Sequence, residues 1–208
     1  MKNPWEKISL SDYESHMRLA SVLQLQGLNE MMKGQLSAYP VSRVMILGVA
    51  GGNGLEYVQR EKFEKVYGVD VNAAYLGAAA ERHSHLKGVL ECLHADLREE
   101  PCRLPESDMV IADLLVEYIG YECFQKVIRH VAPEYVSCVI QINAGGHWVS
   151  DSPYLHTFDG LEQVHCQVEE TGLEMAMSEI GYQRIYALER GLPNEKKLLR
   201  MDFRQLLR

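Results

Sequence analysis

Apolar and polar positions sort this 208-residue chain into a helical leader followed by alternating strands and helices. Through residue 40 there is no β-branched alternation, and apolar residues recur at Met17, Leu19, Ala20, Leu23, Leu28, Met31 and Met32. Ser11 and Glu14 are spaced as a capping box, and Pro40 stops the helical region. Short apolar runs at 43–47, 65–69, 89–94, 108–112 and 136–142 then read as strands. Between them, 72–85 is alanine-rich, and 120–131 places Cys123, Phe124, Val127, Ile128 and Val131 on one helical face. Strands separated by helices imply right-handed βαβ units and a mostly parallel sheet with helices over it. The stretch 145–159 is turn-rich and aromatic and reads as a functional loop; a helix is expected over about 160–180. Two β-rich runs, 182–190 and 197–203, flank the turn Gly191-Leu192-Pro193-Asn194, so the chain is expected to close with a hairpin. The organisation predicted is a helical cap over residues 1–40 on an α/β domain over 41–208.

Composition fits one globular α/β domain with an appendage: 47% hydrophobic, 24% charged, with 16 glycines and 7 prolines. A net charge of −8 opposes non-specific binding to a polyanion, so no nucleic-acid partner is expected. Residues 182–208 are an exception, with Arg184, Arg190, Lys196, Lys197, Arg200, Arg204 and Arg208 against three acids; they read as a solvated hairpin face. Cys92, Cys102, Cys123, Cys138 and Cys166 form an odd set without a C-x-x-C pair, the pattern of reduced thiols in a cytoplasmic protein. No signal-like run opens the chain and no stretch approaches the roughly 20 apolar residues of a membrane span, so no membrane partner is expected.

The chemistry concentrates at Val44-Met-Ile-Leu-Gly-Val-Ala-Gly-Gly-Asn-Gly-Leu-Glu56, an apolar strand running into a glycine-rich turn. Gly48, Ala50 and Gly52 let the backbone approach a ligand, and a helix opening near Asn53 or Gly54 would offer free N–H groups to it. The second strand ends at Asp70, where a carboxylate meets the hydroxyls of a ribose lying across the strand ends. The third and fourth end at Asp96 and Asp113, so three successive strands finish with an acid where open parallel sheets bind ligands. Gly-x-Gly-x-x-Gly is not satisfied, since its sixth place is Asn53, and no Walker lysine follows. Nicotinamide and ATP both lose ground to another nucleoside.

These motifs resemble those of the class I S-adenosylmethionine-dependent methyltransferases, over about residues 43–208. The resemblance implies a Rossmann-like, doubly wound, mostly parallel seven-stranded sheet ending in an antiparallel hairpin, and S-adenosyl-L-methionine as cofactor. It implies that Gly48, Ala50 and Gly52 pack on the cofactor's methionine part, that Asp70 with its neighbour Val71 lies at the ribose, and that Asp96 and Leu97 lie at the adenine. Residues Asp113 to Glu117 would face the methyl group. Family loops carry an acid where this chain has Ile46 and a glycine where it has Ala50; the alanine fits the turn with a negative φ. The leader Trp5-Glu-Lys-Ile-Ser-Leu-Ser-Asp-Tyr13-Glu-Ser-His16-Met17 is similar to that of a bacterial subgroup with no assigned substrate. Tyr13 and His16 share a helical face there and are placed to close over the cofactor or to hold substrate.

Methyl transfer asks the protein for alignment and a dry pocket, because the cofactor brings its own leaving group. Tyr118, Tyr121, Trp148 and Tyr154 are the candidate faces for a sulfonium. If the acceptor atom carries a proton, His147, His16, Glu117 or Asp113 is the candidate base, His147 first because it follows the fifth strand at the expected mouth. No metal is expected, since the His and Cys pairs lack ligand spacing. The activity predicted is methyl transfer by in-line displacement to a small-molecule acceptor, with a homodimer left open. A binding or scaffold protein without turnover is the alternative, motivated by Ile46 and Ala50, and an NAD(P)-dependent oxidoreductase is a more distant one.

Overall fold

The computed structural model describes residues 3–206 apart from 100–102, 144, 146 and 194. The expectations that involve Cys102, Gly146, Asn194 and Arg208 therefore lie outside the described residues. Two leader helices, α1 (Leu10–Arg18) and α2 (Gln24–Ala38), precede β1 (Arg43–Leu47), β2 (Lys65–Asp70), α3 (Ala73–Arg82), β3 (Leu90–His94) and β4 (Met109–Asp113). Then come α4 (Val116–Val131), β5 (Tyr135–Asn143), α5 (Glu170–Glu179), β6 (Tyr182–Gly191) and β7 (Lys196–Gln205). The strands form one seven-stranded sheet in the order β3-β2-β1-β4-β5-β7-β6. All pairings from β3 through β5 are parallel, while β7 runs antiparallel to both β5 and β6. This is the doubly wound arrangement with a terminal hairpin that the sequence predicts.

Strand alternation sends successive side chains to opposite faces, which divides the core in two. Val44 and Ile46 of β1 pack with Met32 and Leu36 of α2 and Leu76 of α3. Met45 and Leu47 face Phe124, Val127 and Ile128 of α4 and Leu173 and Met177 of α5. Burying each such side chain stabilises the fold by roughly 1.5–3 kcal/mol. Because α2 shares this core, it is a member of the sheet's covering layer, and residues before it lie across the strand ends.

Four local expectations are corrected. The α1 cap is Ser9, whose hydroxyl accepts from the Asp12 N–H at 3.1 Å, two residues before the expected Ser11, while the true reciprocal capping box joins Asn3 and Glu6. The stretch 160–180 is not one helix: a 3-10 segment, Leu155–Gln163, is separated from α5. The glycine turn leads into a single 3-10 turn, Leu55–Tyr57, where a helix was expected. The hairpin cations are not simply solvated: Arg200 is buried on Asp202 at 2.5 Å, and Lys196 is buried as well. Their exposed neighbours are met by acids, Arg184 by Glu170 at 2.6 Å and Arg204 by Glu134 at 2.8 Å. Among the described residues no helix is long and apolar enough to cross a membrane.

Candidate active site

The chain winds outward from β1 through β2 to β3 and then crosses back to β4, so β1 and β4 are neighbours whose connections leave in opposite directions. A crevice opens at the C-terminal ends of such a pair. Here the glycine turn supplies one wall. Gly48, Ala50, Gly52 and Gly54 have φ of 71°, 47°, 85° and 91°. The negative φ expected at Ala50 is thus corrected to a left-handed one, which costs a residue with a Cβ roughly 1–2 kcal/mol. Asp70 helps to hold the turn, its Oδ2 accepting from the Ala50 N–H at 2.9 Å and its Oδ1 from the Asn72 N–H at 2.8 Å.

The helix expected after this turn is displaced by α2. The Met32 side chain fills the space that a Cβ at Gly54 would need. Asn53 Nδ2 donates to the Leu25 carbonyl at 3.0 Å, and Asn29 Nδ2 donates to Asn53 Oδ1 at 3.0 Å. Side-chain bonds from α2 therefore replace helical bonds in this segment, and the N–H groups of Gly48, Val49, Ala50, Gly52 and Gly54 are taken up by bonds within the turn and to β2, Asp70 and Glu56.

A cavity of about 80 Å³ occupies the crevice. Gly48, Ala50, Asp70, Val71, Asp96, Leu97 and Asp113 all line it, which brings together every predicted cofactor residue except Gly52. Burial pushes the Asp70 carboxyl above its ordinary value, partly countered by its backbone donors. Asp96 is pushed up by burial too, but hydrogen bonds from Asn3 and Arg98 outweigh this and hold it below the carboxylate range. Asn3 Nδ2 reaches Asp96 Oδ2 at 2.9 Å, so the leader is tied to the end of β3. It is tied to β2 and α3 as well, through Asn72 Nδ2 on the Trp5 carbonyl at 3.0 Å and the Tyr75 hydroxyl on the Ile8 carbonyl at 3.0 Å. Tyr13 is stacked on Tyr75 with centroids 6.1 Å apart, and Trp5 meets Tyr118 edge-on at 4.9 Å.

A second chamber of about 60 Å³ adjoins the first across a wall made of Trp5, Tyr13, Leu114 and Tyr118. Glu117 lies in it, 5% exposed, with Oε1 accepting from the Gln141 N–H at 2.9 Å and Oε2 buried without a partner. A break in α4 helps to place it. Gly120 has φ 74° and ψ 165°, and the Glu117 carbonyl accepts instead from the Cys166 N–H at 2.7 Å. Burial pushes Glu117 up to about 7 and Asp113 likewise to about 7, the latter despite a 2.8 Å bond from Gln35 Nε2.

His16 also lines this chamber, with Nδ1 2.8 Å from the Ser152 hydroxyl and its ring 4.7 Å from that of Phe158. Burial, with Lys196 adding to it, lowers its pKa to about 4, so the ring is neutral at pH 7. His147, the first choice for a base, stands apart from both chambers. Its side chain is 59% exposed, its Nε2 is 3.9 Å from Glu162, and its ring is 5.9 Å from Trp148. Of the aromatic candidates, Tyr118 and Trp148 line the second chamber, whereas Tyr121 turns its hydroxyl to the Glu169 N–H and Tyr154 packs in a satellite cluster. Sequence reasoning missed His165, stacked 4.0 Å from Trp148, and Gln35, which reaches Asp113 from α2. Neither carries a spacing signal, since both are brought in by tertiary packing. Among the described residues no group of three or more His, Cys, Asp or Glu stands as a metal cluster.

No family model matches the sequence, and no curated protein matches it. Solved structures do share its fold. N-methyltransferase NodS from Bradyrhizobium japonicum WM9, in complex with S-adenosyl-l-homocysteine, superposes with a TM-score of 0.68 at 13% identity, over 95% of this chain and 98% of that one. Magnesium protoporphyrin IX methyltransferase from Synechocystis PCC 6803 with bound SAM gives 0.61 at 12% identity, over 92% and 83%. A putative RNA methyltransferase from Pyrococcus horikoshii gives 0.58 at 13% identity, over 88% and 84%. The fold is that of these methyltransferases.

Proposed function

We propose that this protein is an S-adenosylmethionine-dependent methyltransferase that acts on a small molecule. The observation that carries the reading is the meeting of the glycine turn and Asp70 at the β1/β4 crevice, with an aromatic chamber directly behind it. The cleft fits an adenosyl group. Asp70 already receives one N–H on each oxygen, which leaves lone pairs free for two ribose hydroxyls. Val71 and Leu97 offer apolar walls to a base, and a Cβ at Gly48 would lie 3.3 Å from Leu115, so only a bare backbone leaves that corner open. When bound, S-adenosylmethionine supplies an electrophilic methyl group on a sulfonium.

The residues of this chain then have three tasks. Asp70 orients the ribose, Leu114 and Tyr118 define the opening through which an acceptor in the second chamber approaches in line, and the leader keeps water out. Residues 1–40 act in this reading as a cap, of which 3–23 cover the crevice and α2 braces it. Glu117 and His16 are the groups within reach of an acceptor proton; His147 is assigned no role in it.

Isothermal titration tests the reading. S-adenosylhomocysteine should bind, and Asp70→Ala should weaken it by about 1–3 kcal/mol through loss of charged hydrogen bonds. No binding at millimolar ligand would remove the assignment. A cofactor-binding protein without turnover is the second reading, favoured by the left-handed Ala50. It predicts binding with no methyl transfer to any acceptor.

A further inference from the structure

The second chamber has one unsatisfied group. Among the described residues that line it, Glu117 alone has a fully buried side-chain polar atom, Oε2, with no hydrogen-bond partner. Leaving such an oxygen buried and unmatched costs about 1–3 kcal/mol, so the free protein is short of a donor at this point. Gln24 donates to Gln141 and His16 is bonded to Ser152, so neither side chain is turned to this oxygen.

Charge narrows the donor. Among the described residues Glu117 is the only acid lining the chamber, and no Lys or Arg lines it. Burial keeps His16 and His165 neutral, lowering the pKa of each. Lys196 lies behind Trp148, its ammonium already donating to the Trp148 carbonyl at 2.9 Å and to the Ser150 hydroxyl at 3.0 Å. The walls are aromatic faces, among them Trp5, Tyr118, Trp148 and Phe158. Aromatic faces around a single carboxylate attract a cation and repel an anion.

We propose that the chamber selects a small alkylammonium head, with Glu117 as its counter-ion and as the base that takes its proton before methylation; this rests on the methyltransferase reading above. The Glu117 carboxylate accepts one proton from R–NH3⁺, leaving R–NH2 and a neutral carboxylic acid. The nitrogen lone pair forms the new N–C bond while the C–S bond breaks and its electron pair passes to sulfur. The product departs as R–NH2⁺–CH3, and Glu117 returns its proton to solvent. A carboxylate acceptor is repelled by Glu117. An alcohol holds its proton near the value for water, about 16, far beyond a carboxylate's reach, whereas an alkylammonium lies near 10.

The test is calorimetry on the full chain loaded with S-adenosylhomocysteine, using three probes that share an isopropyl group: isopropylammonium, propan-2-ol and isobutyrate. Isopropylammonium should bind at least 10-fold more tightly than either of the others. Glu117→Gln, which keeps an acceptor for the Gln141 N–H, should weaken it at least 10-fold with S-adenosylhomocysteine affinity unchanged. Trp148→Leu should weaken isopropylammonium and leave propan-2-ol unaffected, which preserves the test if the first variant fails to fold. Equal binding of the three probes, or full isopropylammonium affinity in both variants, overturns the proposal alone. Failure of the wild type to bind S-adenosylhomocysteine overturns the methyltransferase reading and this proposal with it.

Discussion

Asp70 and Glu117 are both buried carboxylates, and their neighbours give them different tasks. Asp70 accepts from the Ala50 and Asn72 N–H groups and holds the turn, and in the proposed reading it also receives the ribose hydroxyls. Glu117 has one donor and a bare oxygen, so burial dominates and raises its pKa to about 7. A carboxyl raised from 4.5 to about 7 binds more protons in the folded than in the unfolded state between those values, so it costs stability as pH rises through them. Wild type should therefore lose stability between about pH 4.5 and 7, and Glu117→Gln should lose less across that window. Urea denaturation at pH 4.5, 6 and 7.5 checks this; parallel curves for the two proteins would mean that Glu117 is solvated. Residue types at strand ends made Asp70, Asp96 and Asp113 legible from sequence, because strand ends are places that topology fixes. Glu117 was among the four candidate bases, but the order of preference among them was not legible. His147 lies in the turn-rich loop after β5 and Glu117 in the first turn of α4, and tertiary packing leaves the imidazole exposed and the carboxylate buried.

At the scale of elements, the central strands were legible because β1 and β4 are short, continuously apolar runs buried on both faces, as strands inside a parallel sheet are. Two departures share one cause: a neighbouring element supplies hydrogen bonds that the local sequence does not announce. α2 holds the segment after the glycine turn through Asn29, and so a 3-10 turn stands where a helix was expected. The start of α4 is another case. Gly120 adopts φ 74° and ψ 165°, a region open almost only to glycine, and the break hands the Glu117 carbonyl to Cys166. A Cβ at Gly120 would meet nothing within 4 Å, so Gly120→Ala should cost about 1–3 kcal/mol from backbone conformation alone. Equilibrium denaturation measures it, and an unchanged midpoint would show that the helix runs straight through at little cost.

For the whole molecule, the fold places two spaces in series under one cover. The leader segment from Asn3 to Arg18 is fastened at a few points, Asn3 to Asp96, the Trp5 and Ile8 carbonyls to Asn72 and Tyr75, and Glu14 to Arg82. Its Trp5 and Tyr13 line both chambers, and ligand entry is expected to loosen these fastenings. Occupation of the cleft should then slow amide hydrogen exchange in α1 far more than in the β6–β7 hairpin, whose long ladder does not touch it. Equal protection of both would contradict a moving cover. The leader was legible as helical, but its division was not: α2 belongs to the core with β1, while Asn3, Trp5 and Tyr13 of the segment before it line the crevice.

The most direct measurement is a crystal structure of the protein grown with S-adenosylhomocysteine. The account predicts ribose hydroxyls within hydrogen-bonding distance of the Asp70 carboxylate and the sulfur turned towards Leu114 and Tyr118. Ligand density away from the glycine turn, or a ribose that leaves Asp70 untouched, would contradict it.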